Sequence, residues 1–406
     1  MNTLTPLRFR SSAATYLSAT VLSALLAACG GDVHTPSNNT AAPQLFAQTN
    51  DTTNEVLHFM RNADGTLTAQ ATVATGGKGT NGVNYFMGGA VAPDALTGNN
   101  SVIVSQDGTR LFVANAGDNT VSVLSIDKAS GNLSLLAVSP TGGTRPTSLA
   151  YLNGVLYVTH QQGASELGAY RVGNDGKLTQ IGQYPVVQQD ALPTEVSVSP
   201  DGKFVVVIGF LRTLTPVQPA NTLLAFPINA DGTLGTSVAT TSVGTGPFGG
   251  RFGTGAMSTT FVVSDAAGVT ASSYSLASSG SFTALSGPLA VTGQAAPCWV
   301  SLTPDNRFAY IGNGSGTVSL FSIDGSGKLA LVNAAAASEP ATSTVSTSSF
   351  ANDSWISPDG KFLYQDYAGD DKIVAYSIGS SGALTRLGEQ PANTQSKISL
   401  QGLTGI

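Results

Sequence analysis

The chain has 406 residues, of which only 10% are charged and 47 are Gly. Its net charge is −6 and becomes −8 without residues 1–28, which hold Arg8 and Arg10 but no carboxylate. No basic stripe remains to neutralise phosphates, which excludes nucleic acid as a partner. The Gly, Ser, Thr and Val content favours short strands and tight turns over helices.

Residues 1–28 read as a secretory signal. Arg8 and Arg10 precede an apolar run over 13–28, too short and too broken by Ser and Thr for a comfortable membrane span. Leu26-Ala27-Ala28-Cys29 resembles a bacterial lipobox, in which small residues let a peptidase reach the backbone ahead of a Cys that is then lipidated. The alternative is a plain signal with an incidental cysteine. Gly30, rather than Asp, after Cys29 points under the lipoprotein sorting rule to the outer membrane. Residues 29–43 form a polar tether carrying His34. The expected product is an exported monomer whose only membrane contact is its lipid anchor.

From residue 44 onward a unit repeats. Its first half, a short apolar strand, an Asp-Gly-type turn and a second strand, occurs at Ser101, Glu195, Trp299 and Asp353, with turns such as Ser199-Pro-Asp-Gly-Lys-Phe204 and Ser357-Pro-Asp-Gly-Lys-Phe362. Third strands such as Thr120-Val-Ser-Val-Leu-Ser-Ile126 follow, then a Gly-containing turn and a fourth strand. Four antiparallel strands per repeat make a propeller blade. Units begin near Leu45, Ser101, Thr147, Glu195, Gly250, Trp299 and Asp353, a spacing of roughly 50 residues that fits propellers. The predicted fold is therefore an all-β, seven-bladed propeller over 44–406. The fifth unit is the most degenerate, its first strand only implied over 250–257. The first unit opens on a second strand, so the C-terminal segment 400–406 is predicted to complete blade one and close the ring, with Leu403 beside the Leu45 strand.

Blade order sorts the polar residues by rim. Asp64, Asp107, Asp127, Asp175, Asp201, Asp231, Asp305, Asp324 and Asp359 fall at hairpin turns and read as turn formers. The opposite rim, where each first strand begins, is the predicted ligand face. Glu195, Trp299 and Asp353 occupy equivalent positions there and should converge on one opening. Nearby loops add Arg145, His160, Arg212, Arg251, Asp265, Asp366 and Tyr367. Glu195 or His160 could activate water while Arg145 or Arg251 holds a substrate carboxylate. His58 reads as packing, and Cys298, beside Trp299, as a buried inert thiol. No cofactor is expected; Asp370-Asp371 and Asp118-Asn119 lie in loops that could collect oxygen ligands for Ca²⁺, but no spaced loop motif accompanies them, and no His or Cys cluster suggests zinc.

The Ser-Pro-Asp-Gly-Lys-Phe turns, the Ile-Asp strand ends and Gly142-Gly-Thr-Arg-Pro-Thr147 resemble the bacterial lactonase family of seven-bladed propellers, which includes 6-phosphogluconolactonases and carboxymuconate lactonising enzymes. That resemblance implies hydrolysis of a small, anionic lactone at the channel mouth. Leu111-Phe-Val-Ala-Asn-Ala-Gly-Asp-Asn-Thr-Val-Ser-Val123 also resembles non-enzymatic surface propellers, which implies instead an envelope protein binding a protein or glycan. The lactonases commonly place a His shortly before a middle Ser-Pro-Asp; Thr194 stands there in this chain. With the signal segment, this counts against 6-phosphogluconolactone as substrate.

Overall fold

The computed structural model describes residues 42–163, 166–186, 192–214 and 217–406. The expectations for the signal segment, Cys29 and nearly all of the tether lie outside the described residues. So does the Arg212 side chain.

Blades two to seven are each a four-stranded antiparallel sheet, and the strands of each run in chain order from the axis outward. Alternation explains the local choice of strand. In Thr120–Ile126 the apolar side chains point into the gaps between blades, while the following strand, Leu133–Pro140, is largely exposed at the outer edge. The turns are locked by side chains. Asp201 Oδ1 accepts from Ser199 Oγ at 2.7 Å and from the Lys203 amide at 3.2 Å, with Gly202 at φ +70°. The same Ser/Thr-x-Asp lock recurs at Asp107, Asp305 and Asp359. Asp64, Asp127, Asp175, Asp231 and Asp324 likewise accept amides within their own turns. All nine predicted turn aspartates therefore form turns.

Seven apolar clusters fill the gaps between successive blades. The gap between blades seven and one is among them, and the C-terminus closes it. Gln401–Gly405 pairs antiparallel with Gln44–Gln48, Leu403 opposite Ala47. Blade one is thus built from both ends of the propeller, as the sequence predicts. The closure leaves no open sheet edge at the axis for another chain to extend. At the other end, the Ala42 amide donates to Lys128 O at 2.9 Å, so the chain is already held to the propeller there.

One boundary differs from expectation. The first strand of blade five is Pro247–Phe252, and Gly255–Met257 is a 3₁₀ turn. Gly249 and Gly250 hide this strand in the sequence. A Cβ at either would meet Cys298 O at 2.0 Å or the Phe261 ring at 2.2 Å, so only Gly fits.

Candidate active site

An insertion decides which end of the channel is open. Between blades one and two the chain forms the small hairpin Val83–Asn84 and Ala90–Val91, then crosses the axis over residues 92–100. Five blades hold this crossing segment. Gln161 Nε2 donates to Leu96 O, Gln401 Nε2 to Gly98 O at 3.4 Å, and Trp299 Nε1 to Gly98 O at 3.5 Å. The Asn99 amide donates to Thr194 O at 2.9 Å, and Asn99 Nδ2 to Phe248 O at 3.3 Å. The predicted ligand face is therefore covered at the axis, which corrects the expectation of an open mouth there.

Beneath this cover Glu195 and Asp353 do converge, but as buried groups. Glu195 lies on the innermost strand Leu192–Val198. Its Oε1 accepts from Ser197 Oγ at 2.6 Å, and its Oε2 from the Gly250 amide at 2.5 Å and Asn99 Nδ2 at 3.2 Å. Burial pushes its carboxyl up to about 7, against the opposing pull of Arg251 and these hydrogen bonds. Asp353, on Ala351–Ile356, is raised by burial and by the Glu195 charge, and is likewise pulled back by Arg251. Asp94, in the crossing segment, and Asp366 are raised well above the usual carboxylate range by burial and by mutual repulsion with Asp353. The charge of Arg251 thus bears on two buried carboxyls, and two more buried acids, Asp94 and Asp366, are raised by the charge of Asp353.

Arg251 is exposed, and it opens toward the other rim, the one with the Asp-Gly turns. A cavity of about 340 Å³ enters the channel from that side, lined among others by Asn100, Ser197, Arg251, Trp355 and Thr404. Arg251 Nη2 donates to Asn100 Oδ1 at 3.4 Å. Glu195 lies directly behind Ser197 in this wall.

The other predicted residues go elsewhere. Arg145 stacks over Tyr85 of the insertion, its guanidinium carbon 5.6 Å from the ring centroid, and no contact joins it to Glu195. His160 is fully buried against Gly143, and neither ring nitrogen has a hydrogen-bond partner. Burial lowers its imidazole to about 4, so it is neutral at physiological pH. Among the described residues no contact joins it to Glu195, and it is not part of the cavity lining. Trp299 is buried in an edge-to-face series of rings, Phe86, Phe210, Phe248, Trp299 and Phe350, with centroids 5.4 to 5.8 Å apart. Most of these rings, with Met87 and Cys298, line a second cavity of about 420 Å³ on the covered face. Cys298 is a buried free thiol, raised by burial. Asp265 accepts from Ser272 and Thr270 within blade five, and Tyr367 meets Tyr376 at 2.9 Å within blade seven, both structural roles. His58 stacks on Phe46 and bonds Gln44, a packing role.

Among the described residues, no group of three or more His, Cys, Asp or Glu side chains is arranged to hold a metal ion. Asp118 and Asp370 accept backbone amides, and Asp371 is taken up by Thr394. Sequence reasoning missed Ser197, Asn99, Asn100 and Asp94. The length of the insertion between blades one and two was the one available signal for the last three.

A closed seven-bladed ring with acids buried behind an axial cavity defines the class of protein. The chain belongs to the lactonase, seven-bladed β-propeller family, whose model matches residues 44–191, 144–251 and 256–397. No curated relative matches the sequence itself. Among solved structures, the chain is similar to a Bacteroides uniformis protein assigned to the 6-phosphogluconolactonases, at TM-score 0.69 and 16% identity over 90% of this chain and 100% of that one. It is also similar to a periplasmic gluconolactonase of Pseudomonas aeruginosa, at TM-score 0.67 and 18% identity over 90% and 99%. At such identities these likenesses concern the fold.

Proposed function

We propose that this protein is a lactonase-like hydrolase acting on a small lactone that carries a carboxylate. One observation carries the reading: two buried carboxyls, both pushed up toward neutrality by burial, feel the charge of Arg251, which lines the axial cavity. A base near 7 is half ionised at physiological pH and still basic enough to accept a proton. Arg251 is free at its outer side to take a substrate carboxylate by charge-assisted hydrogen bonds. Asn100 Oδ1 accepts from its Nη2 at 3.4 Å. Family membership supports the reaction class. The signal-like segment and Cys29 support an exported, lipid-anchored location in the cell envelope, to which a Cys29→Ser variant released from membranes would testify. Unchanged fractionation of that variant would remove the anchor.

The test of activity is a panel of lactones, carboxylated and neutral, titrated at constant pH with purified protein. The expected result is hydrolysis that falls about 100-fold or more in Glu195→Gln, the range for loss of a general base. No hydrolysis of any lactone overturns the reading.

The aromatic cavity on the covered face favours a second reading, a non-catalytic propeller that stacks a glycan against Phe86 and Phe210. Calorimetric titration with envelope glycan fragments would give heat that Phe210→Ala abolishes. Absence of heat in the wild type removes this reading.

A further inference from the structure

Glu195 is 2% exposed and does not itself reach the cavity. Its Oε2 is occupied by the Gly250 amide and Asn99, and its Oε1 by Ser197. Ser197, two residues further along the same innermost strand, shares its face and is half-buried in the cavity wall beside Arg251. A proton that passes from the cavity to Glu195 by the hydrogen bonds present must therefore come from or through the Ser197 hydroxyl. The equivalent positions in blades two, three, six and seven lack this arrangement. They carry Ile103, Leu149 and Trp355, and the hydroxyl of Ser301 pairs with Ser354 instead.

We propose that Ser197 is the nucleophile of this hydrolase and Glu195 its base, a step that rests on the lactonase reading. The Ser197 Oγ bonds to the lactone carbonyl carbon as the Glu195 carboxylate takes the hydroxyl proton. The ring C–O bond then breaks, and the ring oxygen leaves as an alcohol with the proton returned from Glu195. The result is an ester between Ser197 and the opened hydroxy acid. Water attacks this ester while Glu195 takes one of its protons, and Ser197 leaves with that proton. The sum is lactone plus water giving hydroxy acid, with no other reactant.

The test uses the best lactone of the panel, with rapid acid quenching and intact-mass measurement. Wild type is expected to gain the full mass of the lactone, because ring opening expels nothing, and the adduct should map to Ser197. Ser197→Ala is expected to lose about 100-fold or more in kcat and all of the adduct, with its melting temperature retained. A hydroxyl that merely positions Glu195 would instead leave kcat within a few-fold and move the pH–rate midpoint upward. That result, or a wild type with no adduct at any quench time, overturns the proposal while leaving the lactonase reading intact. A wild type inactive on every lactone overturns both.

Discussion

Gln401, five residues before Ile406, donates a 3.0 Å hydrogen bond from Nε2 to Oδ1 of Asp94 in the segment that crosses the channel. The strand that closes the ring thus also holds the cover over the axis, so closure and cover are mechanically joined. Replacing Gln401 by Leu leaves a fully buried acid short of a donor, which costs about 1–3 kcal/mol. Hydrogen exchange of residues 92–100 should quicken in that variant while the outer strands keep their protection. Uniform protection across both regions would separate the two functions.

The closing strand itself is open to a harsher test. Removing residues 401–406 unpairs Gln44–Gln48 and strips Leu403 from the cluster between blades seven and one. Loss of one buried Leu alone costs about 2–5 kcal/mol. Urea unfolding of the truncated protein should show stability lower by at least that much. An unchanged midpoint would mean that the ring does not depend on its C-terminus.

The buried acids set the pH dependence of stability. Glu195 is raised from 4.5 to about 7 by burial, so between those values the folded protein holds more protons than the unfolded chain. Its contribution is fully present below the unfolded value and is lost as pH rises through about 7, on the order of 3 kcal/mol. Asp265, raised to about 6, acts in the same direction. The turn aspartates act oppositely: their hydrogen bonds lower them, so their contribution fades as pH falls below the ordinary carboxylate range. Thermal melts should therefore peak near about pH 5 and decline toward about pH 8. Glu195→Gln should flatten that decline. A melting temperature that climbs from pH 5 to 8 would contradict the burial argument.

Much of the fold was legible because its signals are local. An Asp-Gly turn locked by its own Ser or Thr needs no distant partner, and alternation within seven residues marks each third strand. The site was less legible for non-local reasons. Glu195 and Asp353 share a repeat position and so could be placed together, but residues 92–100 have no counterpart in the repeat. Only the folded chain shows that they cover the face that would otherwise be open. Arg251 was one candidate of several, because its strand begins Pro-Phe-Gly-Gly, where Gly249 serves the close approach of blade six and Gly250 that of the Phe261 ring. Ser197 was concealed by the Val-Ser-Val-Ser text around it, which reads as ordinary strand.

Arg251 should separate substrate recognition from chemistry. Arg251→Gln is expected to raise KM for carboxylated lactones by about 10- to 100-fold, the worth of a hydrogen bond to a charged group. KM for neutral lactones should change little. Because Arg251 pulls both Glu195 and Asp353 downward, its loss should also move the midpoint of the rate profile to higher pH. Equal losses on both lactone classes would argue against the carboxylate clamp.

The most direct measurement is kcat/KM for lactone hydrolysis against pH, in the wild type and in Glu195→Gln. With Glu195 as base, the wild-type rate should rise with pH, with a midpoint near about 7, and level off above it. Glu195→Gln should lie about 100-fold or more below that plateau and lack the rise. A wild-type profile flat from pH 5 to 8, or a Glu195→Gln enzyme that matches it, would contradict catalysis at this site.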